Sequence, residues 1–180
     1  MHYEQETRTP TLTLTETDAL AAAAHAGQTD KIGVPYIEHV RAVAHGLVPA
    51  GDHMARAGLL HDVVEDTDWT LARLLSAGVP AEVVALVDAV TKKPGITYRD
   101  MIRTIAADED ASLLKIADNA HNSRPDRLAV LPEDQRARLA AKYEDARTVL
   151  WPVVDPELLE TVVRRINPAL LDGVPAQRHA

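Results

Sequence analysis

Residues 59–67 read LLHDVVEDT, a run in which one imidazole and three carboxylates stand among apolar side chains. Read as a helix, the run places His61 one turn before Glu65. Asp62 and Asp66 share the neighbouring face in the same way. Carboxylates packed this closely repel one another unless a cation lies between them, and His and Asp are common metal ligands. The pattern favours a functional site in a packed helix over a solvated acidic helix end.

The composition indicates one helical domain. A chain of 180 residues with 46% hydrophobic residues is long enough to bury a core of its own. It has no Phe and only 3% aromatic residues, so Leu, Val, Ala and Ile must fill that core, as they do in helical bundles. The absence of Cys excludes disulfides, a thiolate metal site and a cysteine nucleophile.

The charge and hydropathy patterns narrow the range of partners. A net charge of −8 disfavours a nucleic-acid polymer, which needs a basic surface, but it allows a small phosphorylated ligand held by a few cations. No apolar run reaches the length of about 18 residues that a membrane span requires, and no signal-peptide layout is evident. We therefore expect a cytoplasmic protein with no membrane partner; the sequence leaves its oligomeric state open.

The periodicity of the apolar residues predicts an all-α bundle of roughly eight or nine helices with no sheet. We expect a flexible N-terminal arm (1–13), a helical domain (14–166) and a flexible C-terminal tail (167–180). Thr15 is expected to cap the first helix, and Asp52 a third helix that continues through His61 to Glu65. The predicted helices cover, approximately, 15–25, 36–48, 52–65, 71–78, 80–90, 98–105, 110–122, 133–150 and 156–166, with a loop at 125–132.

Polar groups occur in apolar helical context at three places, which are His39, His61–Asp62 and Asp118. Two imidazoles and two carboxylates form a mixed nitrogen and oxygen set that suits Mn²⁺, Fe²⁺ or Zn²⁺. A buried Asp118 without a partner would be costly. These positions are far apart in sequence, so their spacing alone does not join them.

Three segments in the same order carry a family resemblance: GVPYIEH at 33–39, HDVVEDT at 61–67 and LKIADNAHN at 114–122. Together they resemble the HD-domain phosphohydrolase superfamily. Within it, the chain is most similar to the hydrolase domain of RelA/SpoT-type alarmone enzymes and to their small stand-alone relatives. The resemblance covers residues 19–150.

This resemblance implies an α-helical HD domain that removes the 3′-diphosphate from guanosine tetra- or pentaphosphate (ppGpp or pppGpp). The implied metal is one divalent ion, usually Mn²⁺, with Fe²⁺ or Zn²⁺ as alternatives. Its implied ligands are His39, His61, Asp62 and Asp118. Glu65 and Asp66 correspond to the pair that handles the attacking water. The implied substrate contacts are Lys31, Asn122, Arg124 and Tyr143.

One position departs from the family pattern. Alarmone hydrolases usually have an Arg before the lysine of the first segment, where it packs on the guanine base, and this chain has Asp30 before Lys31. A carboxylate cannot offer that cationic stacking surface. Two other functions therefore stay open: a phosphatase for another nucleotide (NADPH, a ppApp-like nucleotide or a nucleoside monophosphate), and a nucleotide-binding sensor without catalysis.

Overall fold

A computed structural model describes residues 11–172. Within that range the chain forms eleven α-helices and no strand, which confirms the all-α prediction; eight of the helices have at least seven residues. The helices are α1 (Leu14–Ala24), α2 (Tyr36–Leu47), α3 (Asp52–Leu60), α4 (Val63–Asp66), α5 (Leu71–Ser76), α6 (Ala81–Val90), α7 (Tyr98–Ile105), α8 (Glu109–Asn122), α9 (Pro125–Ala129), α10 (Glu133–Leu150) and α11 (Pro156–Ile166). Short 3₁₀ turns follow α2, α10 and α11.

Helix α8 lies at the centre of the bundle and packs against α2, α3, α6, α10 and α11. Its buried face combines aliphatic residues such as Leu113 and Leu114 with the polar Asp118, Asn119 and His121. The core contains Leu, Val, Ala and Ile, as the composition predicts, and Met54 and Met101 in addition. No helix within residues 11–172 has the length and hydropathy needed to cross a bilayer.

The helix expected to run from Asp52 to Glu65 is interrupted. Helix α3 ends at Leu60, His61 and Asp62 form a turn, and α4 begins at Val63. Consecutive side chains on a regular helix diverge by about 100°. The turn allows both residues to face the same point, and His61 Nε2 lies 3.0 Å from Asp62 Oδ2.

Three smaller expectations also need correction. Thr13, not Thr15, caps α1, in a reciprocal capping box with Glu16. Gly51 rather than Asp52 is the cap of α3, and Asp52 places its charge in the first turn, where the helix dipole favours it. The loop expected at 125–132 contains α9, which starts at a proline.

The ends of the chain are described only in part. Residues 1–10 and 173–180, where most of the arm and much of the tail were predicted, lie outside the described residues. At the N-terminal end, the Leu12 N–H donates to Gly78 O at 2.9 Å. At the C-terminal end, the buried Asn167 side chain donates to Ala120 O at 3.0 Å. The flexibility of the arm and tail stays a prediction.

Gly58 allows α3 to approach α2 closely. A Cβ at this position would lie 2.7 Å from Ala44 Cα and 2.9 Å from Ala44 N, and these backbone atoms cannot rotate away. The Gly58 carbonyl also accepts a hydrogen bond from His61. The absence of a side chain at Gly58 therefore helps to determine where His61 stands.

We expect Gly58→Ala to lower the free energy of unfolding in urea by about 1–3 kcal/mol, because the added methyl group overpacks the α2–α3 contact. Without such a clash, Gly→Ala inside a helix stabilises by up to about 1 kcal/mol. Gly46→Ala is the matched comparison, since its Cβ would meet the movable side chain of Ile166. A smaller loss is expected there, and an equal or smaller loss in Gly58→Ala would contradict the explanation.

Candidate functional site

The structure brings the four predicted metal ligands together. One ligand atom from each residue lies within 4.8 Å of those from the others. His39 Nε2 is 3.4 Å from Asp62 Oδ2 and 3.4 Å from Asp118 Oδ1, and His61 Nε2 is 3.8 Å from Asp118 Oδ1. Helix α2 supplies His39, the α3–α4 turn supplies the His61–Asp62 pair, and α8 supplies Asp118.

Hydrogen bonds on the far side of each imidazole leave the Nε2 atoms facing the cluster. His61 Nδ1 lies 2.8 Å from Gly58 O, and because a carbonyl only accepts, Nδ1 carries the proton. His39 Nδ1 lies 2.7 Å from His121 Nδ1. Burial, helped by the neighbouring His39, lowers the pKa of His121 to about 3, so His121 is neutral and can accept from His39. Such outer bonds orient metal-binding histidines in many proteins.

Hydrogen bonds from neighbouring side chains also orient the carboxylates of Asp62 and Asp118. Tyr36 donates its hydroxyl to Asp62 Oδ2 at 2.7 Å. Lys115 Nζ donates to Asp118 Oδ2 at 2.7 Å, and Asn122 Nδ2 donates to Asp118 Oδ1 at 2.5 Å. One oxygen of Asp118 thus pairs with a buried cation while the other faces the histidines.

The electrostatics of the cluster favour a positive charge at its centre. Burial alone would lower the pKa of His61, but the charges of Asp62 and Asp118 outweigh it and raise the pKa to about 10. The same carboxylates raise the pKa of His39 against its burial. Despite burial, the pKa of Asp62 is held well below its usual range by His61. The negative charge of Asp62 and Asp118 thus favours a cation at the centre of the cluster.

The donor set fits a divalent metal ion. His39 Nε2 and His61 Nε2 are buried and have no hydrogen-bond partner within the described chain. Such groups are costly unless something binds them. Two imidazole nitrogens and two carboxylate oxygens are ligands of the kind that Mn²⁺, Fe²⁺ and Zn²⁺ accept. These four residues can therefore hold the ion that the sequence predicts.

The two residues predicted to handle the attacking water have different interaction partners. Glu65 is exposed, and its Oε2 accepts from the backbone N–H of Lys92 at 3.0 Å. Asp66 is also exposed, but its carboxyl group is partly covered; this burial, followed by the charge of Asp62, raises its pKa. Tyr36 also interacts with Asp66 and opposes that rise.

A cavity of about 240 Å³ adjoins the cluster. Two of its lining residues, Tyr36 and Asn122, are the ones that hydrogen-bond Asp62 and Asp118. Polar and apolar side chains share the wall; its lining residues are Thr29, Asp30, Lys31, Ile32, Tyr36, Asn122, Arg127, Leu131, Leu139 and Tyr143.

Of the four predicted substrate contacts, Lys31, Asn122 and Tyr143 line this cavity. The fourth, Arg124, is placed differently. Its guanidinium forms two hydrogen bonds of 3.0 Å with Asp126, two residues along the chain. All four stay predictions as substrate contacts.

The sequence did not assign roles to three further residues, which are Tyr36, Lys115 and Arg127. The spacing of Lys115, three residues before Asp118 on one helix, is a signal that could have suggested the pair. Tyr36 stands three residues before His39, which places both on one face of α2. No local pattern marks Arg127, whose partner Asp30 is 97 positions away.

A helical bundle with a buried two-His, two-Asp cluster defines a class of metal-binding domain. A family model described as "HD domain" matches residues 18–150. The chain belongs to the HD domain family.

Two relatives and one solved structure show how far the similarity extends. A probable GTP pyrophosphokinase of Mycobacterium leprae is 41% identical over 132 residues, which are 67% of this chain and 16% of that protein. A probable guanosine-3′,5′-bis(diphosphate) 3′-pyrophosphohydrolase of Synechocystis is 36% identical over 155 residues, or 79% of this chain and 20% of that protein. The solved structure, a metazoan ortholog of SpoT described as hydrolysing ppGpp, superposes with a TM-score of 0.69 and 26% identity over 87% of this chain and 96% of that chain.

The chain spans only 16% and 20% of the length of these two relatives, whereas it covers nearly all of the solved structure. The names of the longer relatives include both a synthetic and a hydrolytic activity. Similarity to these relatives identifies the domain, and only the site can distinguish the synthetic from the hydrolytic activity.

Proposed function

We propose that this chain is a metal-dependent phosphohydrolase that removes the 3′-diphosphate from ppGpp or pppGpp. One observation carries the proposal: Tyr36 and Asn122, which hydrogen-bond the proposed metal ligands Asp62 and Asp118, also line a cavity beside the buried cluster. A ligand in the cavity would have its phosphate end beside the cluster.

The similarities support the hydrolytic activity over the synthetic one. Several relatives are named for 3′-pyrophosphohydrolysis, among them those of Synechocystis and Haemophilus influenzae. The solved structure, of which this chain covers 96%, is described as hydrolysing ppGpp. The net charge of −8 allows a small nucleotide substrate that is held by a few local cations. The proposal places the protein in the cytoplasm.

Each residue of the site has its own role in the proposed reaction. Water attacks the phosphorus bonded to the ribose 3′ oxygen and that P–O bond breaks. The 3′ oxygen takes up a proton and stays on GDP or GTP, and the attacked phosphorus is released in diphosphate. Asp66, with Glu65 as the second candidate, orients the water and accepts its proton. Lys31 contacts a phosphate, and Asn122 and Tyr143 contact the nucleoside. No covalent intermediate with the protein is needed.

We propose Mn²⁺ as the metal, held by His39, His61, Asp62 and Asp118. When bound, such an ion supplies Lewis acidity, which acidifies water and offsets charge on phosphoryl oxygens. The buried Lys115 keeps Asp118 ionised as a ligand; despite burial, its charge helps to hold the pKa of Asp118 well below the usual value.

Hydrolysis of a different nucleotide is the second candidate, and Asp30 favours it. The Asp30 carboxylate is committed to the backbone N–H groups of Ile32 and Val34 and to Arg127, so this position offers the ligand no cation. NADPH, a ppApp-like nucleotide or a nucleoside monophosphate would then be the substrate of the same metal site.

The test is release of phosphate and diphosphate from a nucleotide panel, with Mn²⁺, Fe²⁺ or Zn²⁺ and with a chelator. We expect release of diphosphate from ppGpp with Mn²⁺ and none with the chelator. Faster turnover of another member of the panel would identify the second candidate. Binding without turnover of any nucleotide would support the sensor function and overturn the proposed hydrolase.

A further inference from the structure

A largely buried ion pair lies in the cavity wall away from the metal ligands. Arg127 Nη1 donates to Asp30 Oδ2 at 2.8 Å, and the two side chains are only 16% and 5% exposed. The pair joins the loop before α2 to helix α9, 97 positions further along the chain. Ion pairs on open surfaces contribute little, but this one is shielded from water, so losing one partner leaves a buried charge.

The loop around Asp30 is built to hold the carboxylate in place. Asp30 Oδ1 accepts from the backbone N–H groups of Ile32 at 3.0 Å and Val34 at 2.9 Å. The Asp30 N–H in turn donates to Val34 O at 2.8 Å. The second oxygen, Oδ2, remains for Arg127, so the loop presents a fixed acceptor to that side chain.

Helix α9, by contrast, is short and has no buried residue to fix its position. It has five residues, none of which is buried. Its position relative to the loop therefore depends strongly on the Asp30–Arg127 contact. Arg127 also has hydrogen-bond donors that Asp30 does not use. A guanidinium has five N–H donors, and the Nε–H of Arg127 is buried with no acceptor among the described residues.

The charge of Arg127 reaches the interior of the site. It contributes to the lowered pKa of His121, behind His39, and acts on the buried Tyr143 of α10. Arg127 lines the cavity together with Tyr143, Leu139 and residues of the Asp30 loop.

We propose that Asp30 holds Arg127 as a fixed wall of the nucleotide pocket, so that the pair sets affinity for a nucleoside polyphosphate and takes no part in the hydrolytic step. This inference rests on the proposed function, because it assigns the cavity to the nucleotide. Arg127 is the residue that contacts the nucleotide, and Asp30 is a positioning residue that acts through it.

The test is a double-mutant cycle with Asp30→Asn, Arg127→Met and the double variant. The Asn retains an oxygen for the Ile32 and Val34 N–H groups but removes the charge that faces Arg127. Two measurements are made on each variant: the Kd for ppGpp with chelator present, which needs no turnover, and kcat and KM with Mn²⁺.

We expect Arg127→Met to raise Kd and KM about tenfold, the equivalent of one lost charge-assisted contact, while kcat changes by less than about twofold. Asp30→Asn should raise both constants by a smaller factor. Because the residues act as one unit, the double variant should bind no more weakly than Arg127→Met alone.

The control is Arg103→Met, which removes an exposed pair on α7, where Arg103 lies 3.4 Å from Asp100. It should leave Kd and KM unchanged. Arg127→Lys serves if the Met variant fails to fold; it keeps the charge but loses the planar fork, and binding should weaken to an intermediate degree.

Each outcome bears on one proposal or the other. An unchanged Kd in Arg127→Met, or in Arg127→Lys where the Met variant does not fold, overturns the inference. It is also overturned if the losses of binding in the two single variants multiply in the double variant, or if only kcat falls. Failure of the wild-type protein to bind ppGpp or any other nucleotide of the panel also overturns it. Coupled losses of binding in a protein without turnover leave the inference standing and remove the proposed hydrolase.

Discussion

His61→Ala is expected to abolish stable metal binding and to lower hydrolysis at least about a thousandfold, because several kcal/mol of Lewis-acid stabilisation are lost. The substitution removes one of the two Nε2 atoms that face the cluster. It also leaves Asp62 and Asp118 close to each other with less positive charge between them. The measurement is metal content after dialysis against buffer, together with the rate of diphosphate release with Mn²⁺.

Asp62→Ala should behave like His61→Ala, since the two residues are adjacent and share the cluster. His53→Ala is the matched control: His53 is a partly exposed histidine of α3 that lies 3.6 Å from Asp110, outside the cluster. It should retain full metal content and activity. Circular dichroism establishes that each variant is folded. Full activity with bound metal in a folded His61→Ala or Asp62→Ala variant would refute the ligand assignment.

The position of these ligands illustrates what a sequence can and cannot reveal. The periodicity of α2 and α8 places His39 and Asp118 on faces that are otherwise apolar, and this was visible without a structure. Their convergence was not, because no rule of spacing relates positions on different helices. The family resemblance supplied that link, and the structure confirms the proximity with distances of 3.0–3.8 Å.

The turn at His61–Asp62 was missed for a physical reason. A helical pattern of apolar residues continues from Met54 through Leu60 to Val64, so the periodicity predicts a helix across the turn. A turn interrupts the helix there, although both residues keep right-handed helical dihedral angles. The turn lets two adjacent side chains face one point, a tertiary arrangement that local propensity does not encode. The Asp30–Arg127 pair was missed for a related reason, since its partners meet only after α9 packs beside the loop.

Asp66→Asn is expected to lower kcat about a hundredfold or more while the metal stays bound, because general-base catalysis contributes about 10²–10⁴ in rate. Asp66 lies four residues after a proposed ligand, and the Asp66 N–H donates to Asp62 O at 2.9 Å. Asparagine preserves the size of the side chain but cannot accept a proton from water. The measurement is kcat, with metal content as the control for an intact site.

The pH dependence gives a second readout of the same role. A general base works only when it is deprotonated, so the rate falls as the pH falls through its pKa. Burial and Asp62 raise the pKa of Asp66, so the acid limb should lie above the ordinary aspartate value of 3.8. That limb should disappear from the residual activity of Asp66→Asn. A limb that persists there would assign the acidic group to another residue.

Glu65→Gln separates the two candidates for this role. The Glu65 carboxylate accepts from Lys92 N, so it holds the segment after α6, and Gln can keep that hydrogen bond through its own oxygen. If Glu65 acts on the water, the variant loses most turnover with metal retained; if it only anchors the segment, kcat changes little. Because Asp66 interacts with Asp62 and Tyr36 of the site, we expect the larger loss in Asp66→Asn. The reverse order would make Glu65 the base and Asp66 a residue that orients Tyr36 and the ligand Asp62.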